Sequence, residues 1–284
     1  MGIFLDLLEC PRQDGFPPEY LLARLGCRED FFAERCQREG WENSRQLLAE
    51  EFRWLFVRMN WRFRAQMAPV LFSFELRTLA LLLRLRIAGS DAEVSEVAAR
   101  SLLAANIREV FSRRLPVAET LSKLAAILDF RVGAVSAFSE SYRAGGAAGV
   151  ERELSRSFRQ ALEKQNVPGP VRLFLADLLV CRNLLLAAKH RRWGLDEISR
   201  PNPAAATGQI EIQRLLRRVQ ADAAGGKRAG LLQDPLRLEE AVREVLARVW
   251  RRSHGQTSLE ALLGHLWRLV VIAERRGEAP GGSR

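Results

Sequence analysis

The chain has 284 residues, enough to bury a sizeable core in one large domain or two smaller ones. Leu, Ala, Arg and Glu dominate and only two Tyr are present, which favours an all-α fold and argues against a substantial sheet. The net charge of +10 is compatible with nucleic acid, anionic lipid or an acidic protein as a partner. Nearly all of the positive charge is Arg, however, so the codon bias of a GC-rich genome explains it equally well.

The first forty residues predict a loop-rich lead-in followed by two short helices. The prolines and glycine at positions 11, 15, 17 and 18 oppose a long helix at the start of the chain. Pro18 suits the first turn of a short helix over residues 19–25. A second short helix is predicted over residues 28–38, and we expect it to stop at Gly40.

Residues 43–89 predict two long helices separated at Ala68-Pro69. The first begins at a cap formed by Asn43 or Ser44 and carries one continuous apolar stripe, and we expect Pro69 to end it. The second runs from about residue 70 to residue 88 and stops at Gly89. The stripe of the first helix consists of Leu48, Phe52, Leu55, Met59, Phe63 and Met67.

The middle of the chain continues as helices with recognisable starts and stops. Ser90 is a predicted N-cap, with Glu93 at the capping-box position, for a helix that continues through residue 103. Pro116 opens the next helix, and Gly133 and Gly145-Gly146 punctuate the segment that precedes a helix over about 150–165.

The last third of the chain starts after the break at Pro168-Gly169-Pro170. We predict a long helix over about 171–193, a loop over 194–209 that is long enough to be functional or mobile, and a helix over 209–223. Asp234 caps a further helix with Pro235 in its first turn. Thr257 caps the last helix, with Glu260 three residues on, and the tail from about residue 277 is predicted to be disordered.

Metal, secretion and membrane-spanning signals are not found in the sequence. The four Cys (Cys10, Cys27, Cys36 and Cys181) form no CxxC pair, and we expect them to be small core residues in a reducing compartment. The N-terminus lacks the pattern of a secretory signal, and no apolar run approaches the roughly 18 residues of a membrane span. We therefore expect a soluble protein.

One motif recurs. Residues 77–86 (RTLALLLRLR) and 182–191 (RNLLLAAKHR) share a basic residue, a small polar residue, an apolar run and two further basic residues. A weaker third copy lies at 268–276 (RLVVIAERR). The intervals are longer than solenoid periods, so the recurrence indicates three similar helical subdomains, with chance similarity between Arg-rich helices as the alternative.

On these residues, 55–86 above all, the chain resembles the C subunit of bacterial and archaeal V/A-type rotary ATPases, a relative of the d subunit of the eukaryotic vacuolar pump. Members of that family repeat an acidic residue, then Asn or Thr with Leu, then Arg or Lys. Glu75, Thr78 and Arg84 fit the first copy. Asn183, Leu184 and Lys189 fit the second copy, in which Val180 stands at the acidic position. In the third copy Leu269 replaces the expected Asn.

The resemblance implies an all-α, funnel-like assembly of three pseudo-repeated subdomains, over about 1–110, 111–208 and 209–277, with a disordered tail at 278–284. It implies a non-catalytic rotor adaptor without a cofactor or metal, lying on the cytoplasmic face of the membrane. Its partners would be the central-stalk rotor subunits and the proteolipid ring, with membrane association only through the ring and no nucleic acid. Torque transmitted through the adaptor would serve proton or sodium transport.

The residues chosen as candidates for partner binding are the basic residues of the repeat. No Walker motif is present, and the three His show no catalytic pairing. Each chosen basic residue interrupts an apolar run on a helix that looks buried, so an internal ion pair to Glu75, Asp177 or another helix is the alternative. The candidates are Arg77, Arg84, Arg182 and Lys189.

Two other functions remain as alternatives to the adaptor. A basic helical nucleic-acid-binding module would show an affinity that falls steeply with salt, but the Arg residues are spread along the chain rather than concentrated in one stripe. A generic helical scaffold for another protein partner is the third hypothesis.

Overall fold

A computed structural model describes residues 3–40, 43–128, 134–192, 212–215, 217, 234–252 and 257–274 of the chain. Over these ranges the protein is helical, with two isolated bridges and no strand, which confirms the all-α prediction. The helices are α1 (Ile3–Asp6), α2 (Pro18–Glu39), α3 (Ser44–Arg58), α4 (Trp61–Ala88), α5 (Asp91–Arg100), α6 (Ala105–Ser112), α7 (Val117–Leu128), α8 (Ala134–Lys164), α9 (Gly169–Arg192), α10 (Pro235–Arg252) and α11 (Ser258–Glu274).

The chain divides into two compact units. The first unit contains residues 1–23 and 42–168, and the second contains residues 24–41 and 169–284. These limits do not coincide with the predicted subdomain limits near residues 110 and 208, and the three-fold repeat stays a prediction.

The first unit is organised around α4, which packs against α1, α5 and α8. Three Phe rings, from Phe4, Phe72 and Phe158, form an aromatic cluster between these helices, with centroids 5.2 to 6.1 Å apart. All three side chains are buried, and each contributes about 2–3 kcal/mol through removal of apolar surface from water. The cluster fixes one face of α4 and leaves the opposite face outside the core.

A short extended segment of the first unit joins α5 to α6. Leu102 accepts the N–H of Glu9 at 2.8 Å, and Ala104 donates its N–H to Leu7 at 3.0 Å. The prediction that the helix after Ser90 continues through residue 103 is therefore wrong, because α5 ends at Arg100 and residues 101–104 pair with the N-terminal segment instead.

In the second unit, α9 packs against α10 and α11, and those two pack against each other. Phe174 of α9 meets the rings of Trp250 and Trp267 edge-on, at centroid distances of 5.0 and 6.4 Å. Asp177, one turn further along α9, is fully buried and accepts a hydrogen bond from the Trp250 indole N–H at 3.2 Å. Aromatic packing and this hydrogen bond join α9 to α10.

The N-terminal helix boundaries differ from the predictions. The two short helices predicted over 19–25 and 28–38 are one helix, α2, because Gly26 costs only about 1 kcal/mol in a helix. The apolar stripe of α2 continues through this glycine, and its buried members are Leu21, Leu25, Phe32 and Cys36.

The break predicted at Pro69 lies instead at Met59-Asn60. Asn60 is extended and its side chain accepts the Phe63 N–H at 2.9 Å, which starts α4 there. Pro69 lies inside α4 and removes one helical donor. Residues 67–72 around it are all buried, and this packing offsets the lost bond. The predicted end at Gly89 is confirmed, with φ of +75°.

The remaining starts and turns are mostly as predicted. Gly145 and Gly146 interrupt α8 with non-helical backbone angles, which confirms a turn there. Asp234 caps α10 through the Arg237 N–H at 3.3 Å. Thr257 caps α11 as predicted, because its hydroxyl oxygen accepts the Glu260 N–H at 3.2 Å, and the hydroxyl also donates to the Glu260 carboxylate. Ser90 precedes α5 but makes no side-chain cap bond, so the capping box predicted there is wrong.

Several predictions fall wholly or partly outside the described residues. These are the loop over 194–209, most of the helix over 209–223 and the tail from residue 277. None of the described helices combines the length and the hydropathy that crossing a bilayer requires. Of the four Cys, Cys36 and Cys181 are buried as expected, whereas Cys10 and Cys27 are exposed.

Candidate functional site

The repeated motif places its acidic residue inside the first unit. Glu75 on α4 is buried and accepts the Leu102 N–H at 3.0 Å, and it is also hydrogen-bonded by Thr78. Burial raises the pKa of Glu75, and the hydrogen bonds from Leu102 and Thr78 together with the charge of Arg53 oppose that rise only in part. Glu75 thus joins α4 to the extended segment before α6.

The basic residues of the same motif lie on the opposite side of α4. Arg77 and Arg84 are both exposed, which corrects the expectation that they lie in a buried run. Seven residues make about two turns of helix, so both side chains lie on one face of α4, away from Phe72 and Leu79 in the core. The apolar run that seemed continuous in the sequence is therefore divided between two faces of the helix.

Arg84 forms an ion pair with another helix, as the alternative interpretation anticipated. Its Nε and Nη2 both donate to the Glu151 carboxylate of α8, the Nη2 bond being 2.8 Å long. The Arg84 side chain is 61% exposed, so solvent screens the pair. Glu75, a carboxylate of α4 named as a possible partner, is instead bonded to Leu102 and Thr78.

Leu81 completes this surface and was missed by the sequence analysis. It lies four residues after Arg77 and three before Arg84, and it is 44% exposed. Its neighbours Leu79 and Leu82 are fully buried. A helical projection of residues 77–84 would have shown Leu81 on the face of the two Arg. We call Arg77, Leu81 and Arg84 the α4 stripe.

The two candidates from the second copy are less completely described. Arg182 is half-buried on α9. Lys189 lies within the same helix, but its side chain is outside the described residues. The acidic position of this copy is occupied by Val180, and the buried carboxylate of α9 is Asp177, one turn earlier on the same side of the helix.

The third copy contains an ion-pair cluster within the second unit. Glu29 of α2 accepts hydrogen bonds from Arg268 Nε at 2.8 Å and lies 2.7 Å from Nδ1 of His265, both on α11. Burial alone would raise the pKa of Glu29, but the bonds and charges of His265 and Arg268 lower it to about 2. We call these three residues the Glu29 cluster; its geometry is that of a structural tie between helices.

The first unit also has a cleft of about 500 Å³ beside the start of α4. Trp61 at its edge is 66% exposed, while its backbone N–H is held by Asp14 at 2.6 Å. Arg64 lines the wall and is buried, with its guanidinium donating to the carbonyls of Phe56, Val57 and Gln13 at 2.9 to 3.0 Å. The acidic and basic groups of the lining balance: Asp6 and Asp14 against Arg12 and Arg64.

The described residues include no group of three His, Cys, Asp or Glu side chains that is arranged to hold a metal ion. No protein-family model matches this chain, and neither the curated proteins nor the solved structures yielded a similar protein.

Proposed function

We propose that this chain is a non-catalytic rotor adaptor of a V/A-type rotary ATPase, linking the central stalk to the proteolipid ring. It would act on the cytoplasmic face of the membrane, reach the membrane only through the ring, and transmit torque for proton or sodium transport. No cofactor or nucleic acid takes part in this role. The resemblance of residues 55–86 to the C subunit of these enzymes is the origin of the proposal.

The observation that carries the proposal is the division of α4 into two faces. On one face Glu75 is buried and bonded to Leu102, and on the other Arg77 and Arg84 are exposed. A helix that is anchored on one side and charged on the other suits the transmission of force between partners, because the contact surface has a rigid backing. An enzyme would instead need its acidic group within reach of a substrate.

The buried carboxylate of α9 supports the same interpretation for the second copy. Val180 replaces the acidic residue of the motif, but Asp177 lies one turn earlier and ties α9 to Trp250. An internal carboxylate on the motif helix is therefore present in both copies, in a role that holds neighbouring segments together. Asp177 thus supplies a buried carboxylate on α9 even though Val180 stands at the acidic position of the motif.

Affinity purification from the source cells tests the function. The full-length chain, tagged at its C-terminus, would be purified from detergent-solubilised membranes after nuclease treatment and analysed by mass spectrometry. We expect the central-stalk subunits and the proteolipid to co-purify in defined ratio. Recovery without any rotary ATPase subunit would overturn the proposal, and binding to nucleic acid that falls steeply with salt would favour the basic-module alternative.

A further inference from the structure

The cleft beside the start of α4 is lined by charged groups that the rest of the described chain does not neutralise. Asp6, Arg12 and Asp14 line it, and none of the three forms an ion pair with a described residue. Arg64, the fourth charged group, donates instead to three backbone carbonyls. Burial lowers the pKa of Arg64 despite the opposing charges of Cys10 and Asp14. The charges available to a ligand are therefore two carboxylates and one guanidinium.

The Trp61 ring at the edge of the cleft is uncovered. It is 66% exposed, and no aromatic ring or cation of the described chain lies over it. Trp54 on the preceding helix provides a contrast, because Cζ of Arg58 lies 4.5 Å from the centroid of its ring. The face of an indole attracts a cation more strongly than that of any other side-chain ring. Trp61 therefore has the free ring face that a cation from outside the chain requires.

Asp14 holds a carboxylate next to this ring. Its Oδ1 accepts the backbone N–H of Trp61 at 2.6 Å and that of Gly15 at 3.0 Å. Its Oδ2 accepts no hydrogen bond from a described residue, so it stays available to a ligand. Because the carboxylate is already fixed in place, a cation that binds between it and the indole costs little side-chain entropy on this side of the contact.

Exposed apolar side chains lie near the start of α4 as well. The Phe16 carbonyl accepts the N–H of Asn60, the cap of α4, at 3.0 Å, and the Phe16 ring stacks on Tyr20 at a centroid distance of 4.4 Å. Phe16, Tyr20 and Val57 are each 40% to 44% exposed. A protein partner can bury these side chains, whereas a free small molecule in the cleft leaves them in water.

We propose that this cleft binds an Arg or Lys side chain of a partner protein, with its cation over the Trp61 ring and beside the Asp14 carboxylate. The inference goes beyond the proposed function and does not rest on it, since it follows from the cleft alone. Asp6 contributes a second negative charge, and Arg12 is the available lining group that opposes the cation. An anionic ligand would reverse the sign of both effects.

The indole N–H signals in the nuclear magnetic resonance spectrum of the full-length, ¹⁵N-labelled chain provide the test. The signal of Trp61 is identified by its loss in Trp61→Phe. N-acetyl-L-arginine N-methylamide represents an Arg residue within a chain, and the corresponding citrulline compound is the neutral control of the same shape. We expect a saturable shift of the Trp61 signal with the arginine compound, with a Kd of about 10 mM or tighter, and binding of the citrulline compound at least about fivefold weaker.

Charge variants of the cleft give effects of opposite sign. Asp14→Asn keeps an oxygen for the two backbone N–H groups and should weaken binding of the arginine compound at least about threefold. Arg12→Gln removes the opposing charge and should strengthen binding about twofold or more. Glu19→Gln changes an exposed carboxylate that does not line the cleft, and it should leave the Kd unchanged.

Four results would overturn the inference. The first is a Trp61 signal that does not move with the arginine compound, and the second is equal binding of the citrulline compound. The third is weaker binding of the arginine compound to Arg12→Gln together with tighter binding to Asp14→Asn. The fourth is binding of free L-arginine about tenfold tighter than that of the chain-like compound, which would assign the cleft to a small molecule. Each of these results leaves the proposed adaptor function standing, because affinity purification tests that function separately.

Discussion

The Glu29 cluster leads to a quantitative prediction about the second unit. Glu29→Gln keeps the size of the side chain but removes its charge from His265 and Arg268. A pKa lowered from the ordinary 4.5 to about 2 corresponds to about 3 kcal/mol, at about 1.4 kcal/mol per pH unit. Because 21% of the side chain stays exposed and solvent screens part of the interaction, we expect a loss of about 1–2 kcal/mol.

The pH dependence of this loss has a defined sign. The folded-state pKa of Glu29 is depressed, so its stabilising contribution is fully present above pH 4.5 and is lost as the pH falls toward 2. The wild-type chain and Glu29→Gln should therefore differ most at neutral pH, and their stabilities should converge in acid. His265 contacts the same carboxylate through its Nδ1 atom.

Urea unfolding followed by circular dichroism at several pH values provides the free energies. Hydrogen exchange measured on peptides from α11 then reports whether the loss is local to the cluster. Glu34→Gln is the matched control, because Glu34 is exposed on the same helix and makes no ion pair with a described residue. Equal stability of Glu29→Gln and Glu34→Gln at pH 7, or a difference between them that persists at pH 2, would refute the reasoning.

Three further predictions concern stability and are checked by urea or thermal unfolding. Above about pH 4.5, Glu75→Gln should be more stable than the wild-type chain, because the raised pKa of the buried carboxyl costs the wild-type chain stability there. The same pH dependence in both proteins would contradict this. Gly89→Ala should cost about 1 kcal/mol at its positive φ, whereas Gly26→Ala, inside a helix with open space around it, should add up to about 1 kcal/mol. Arg86→Ala should lower the free energy of unfolding by about 3–5 kcal/mol, because that side chain is buried and bonded on several sides. Arg84→Ala should lower it by less than about 1 kcal/mol, and similar losses for the two variants would be inconsistent with the difference in burial.

Helix starts with strong local chemistry were predictable from the sequence. The caps at Asp234 and Thr257 and the end at Gly89 depend on neighbours within three or four residues, and the structure has them as predicted. Ser90 shows the limit of this reasoning, because its helix begins in the expected place without the side-chain bond. The local pattern therefore predicted where α5 starts, but not which atoms stabilise that start.

Breaks that depend on packing were not predictable in the same way. Pro69 carries the stronger local signal for a helix end, yet α4 continues through it and begins at Trp61, after the Asn60 cap. Gly26 separates the two predicted short helices, but it lies inside a helix with one buried stripe. In both places the buried apolar surface of neighbouring residues outweighs a cost of a few kcal/mol at a single residue.

The candidate site follows the same division. The recurrence of the motif and the choice of Arg77 and Arg84 came from the sequence, whereas the exposure of Leu81 and the partner of Arg84 did not. Glu151 is distant from Arg84 along the chain, and no periodicity within α4 identifies it. A pair between helices depends on which faces meet, and only the packing of α4 on α8 decides that.

The sequence by itself determined that the described chain is helical, where many of its helices start, and which basic residues recur. These properties depend on interactions between residues a few positions apart. Only the tertiary structure decided that Glu75 turns inward to Leu102 while the α4 stripe stays exposed. The physical reason is that a helix with apolar residues around most of its circumference has several possible buried faces, and the helices packed against it select one.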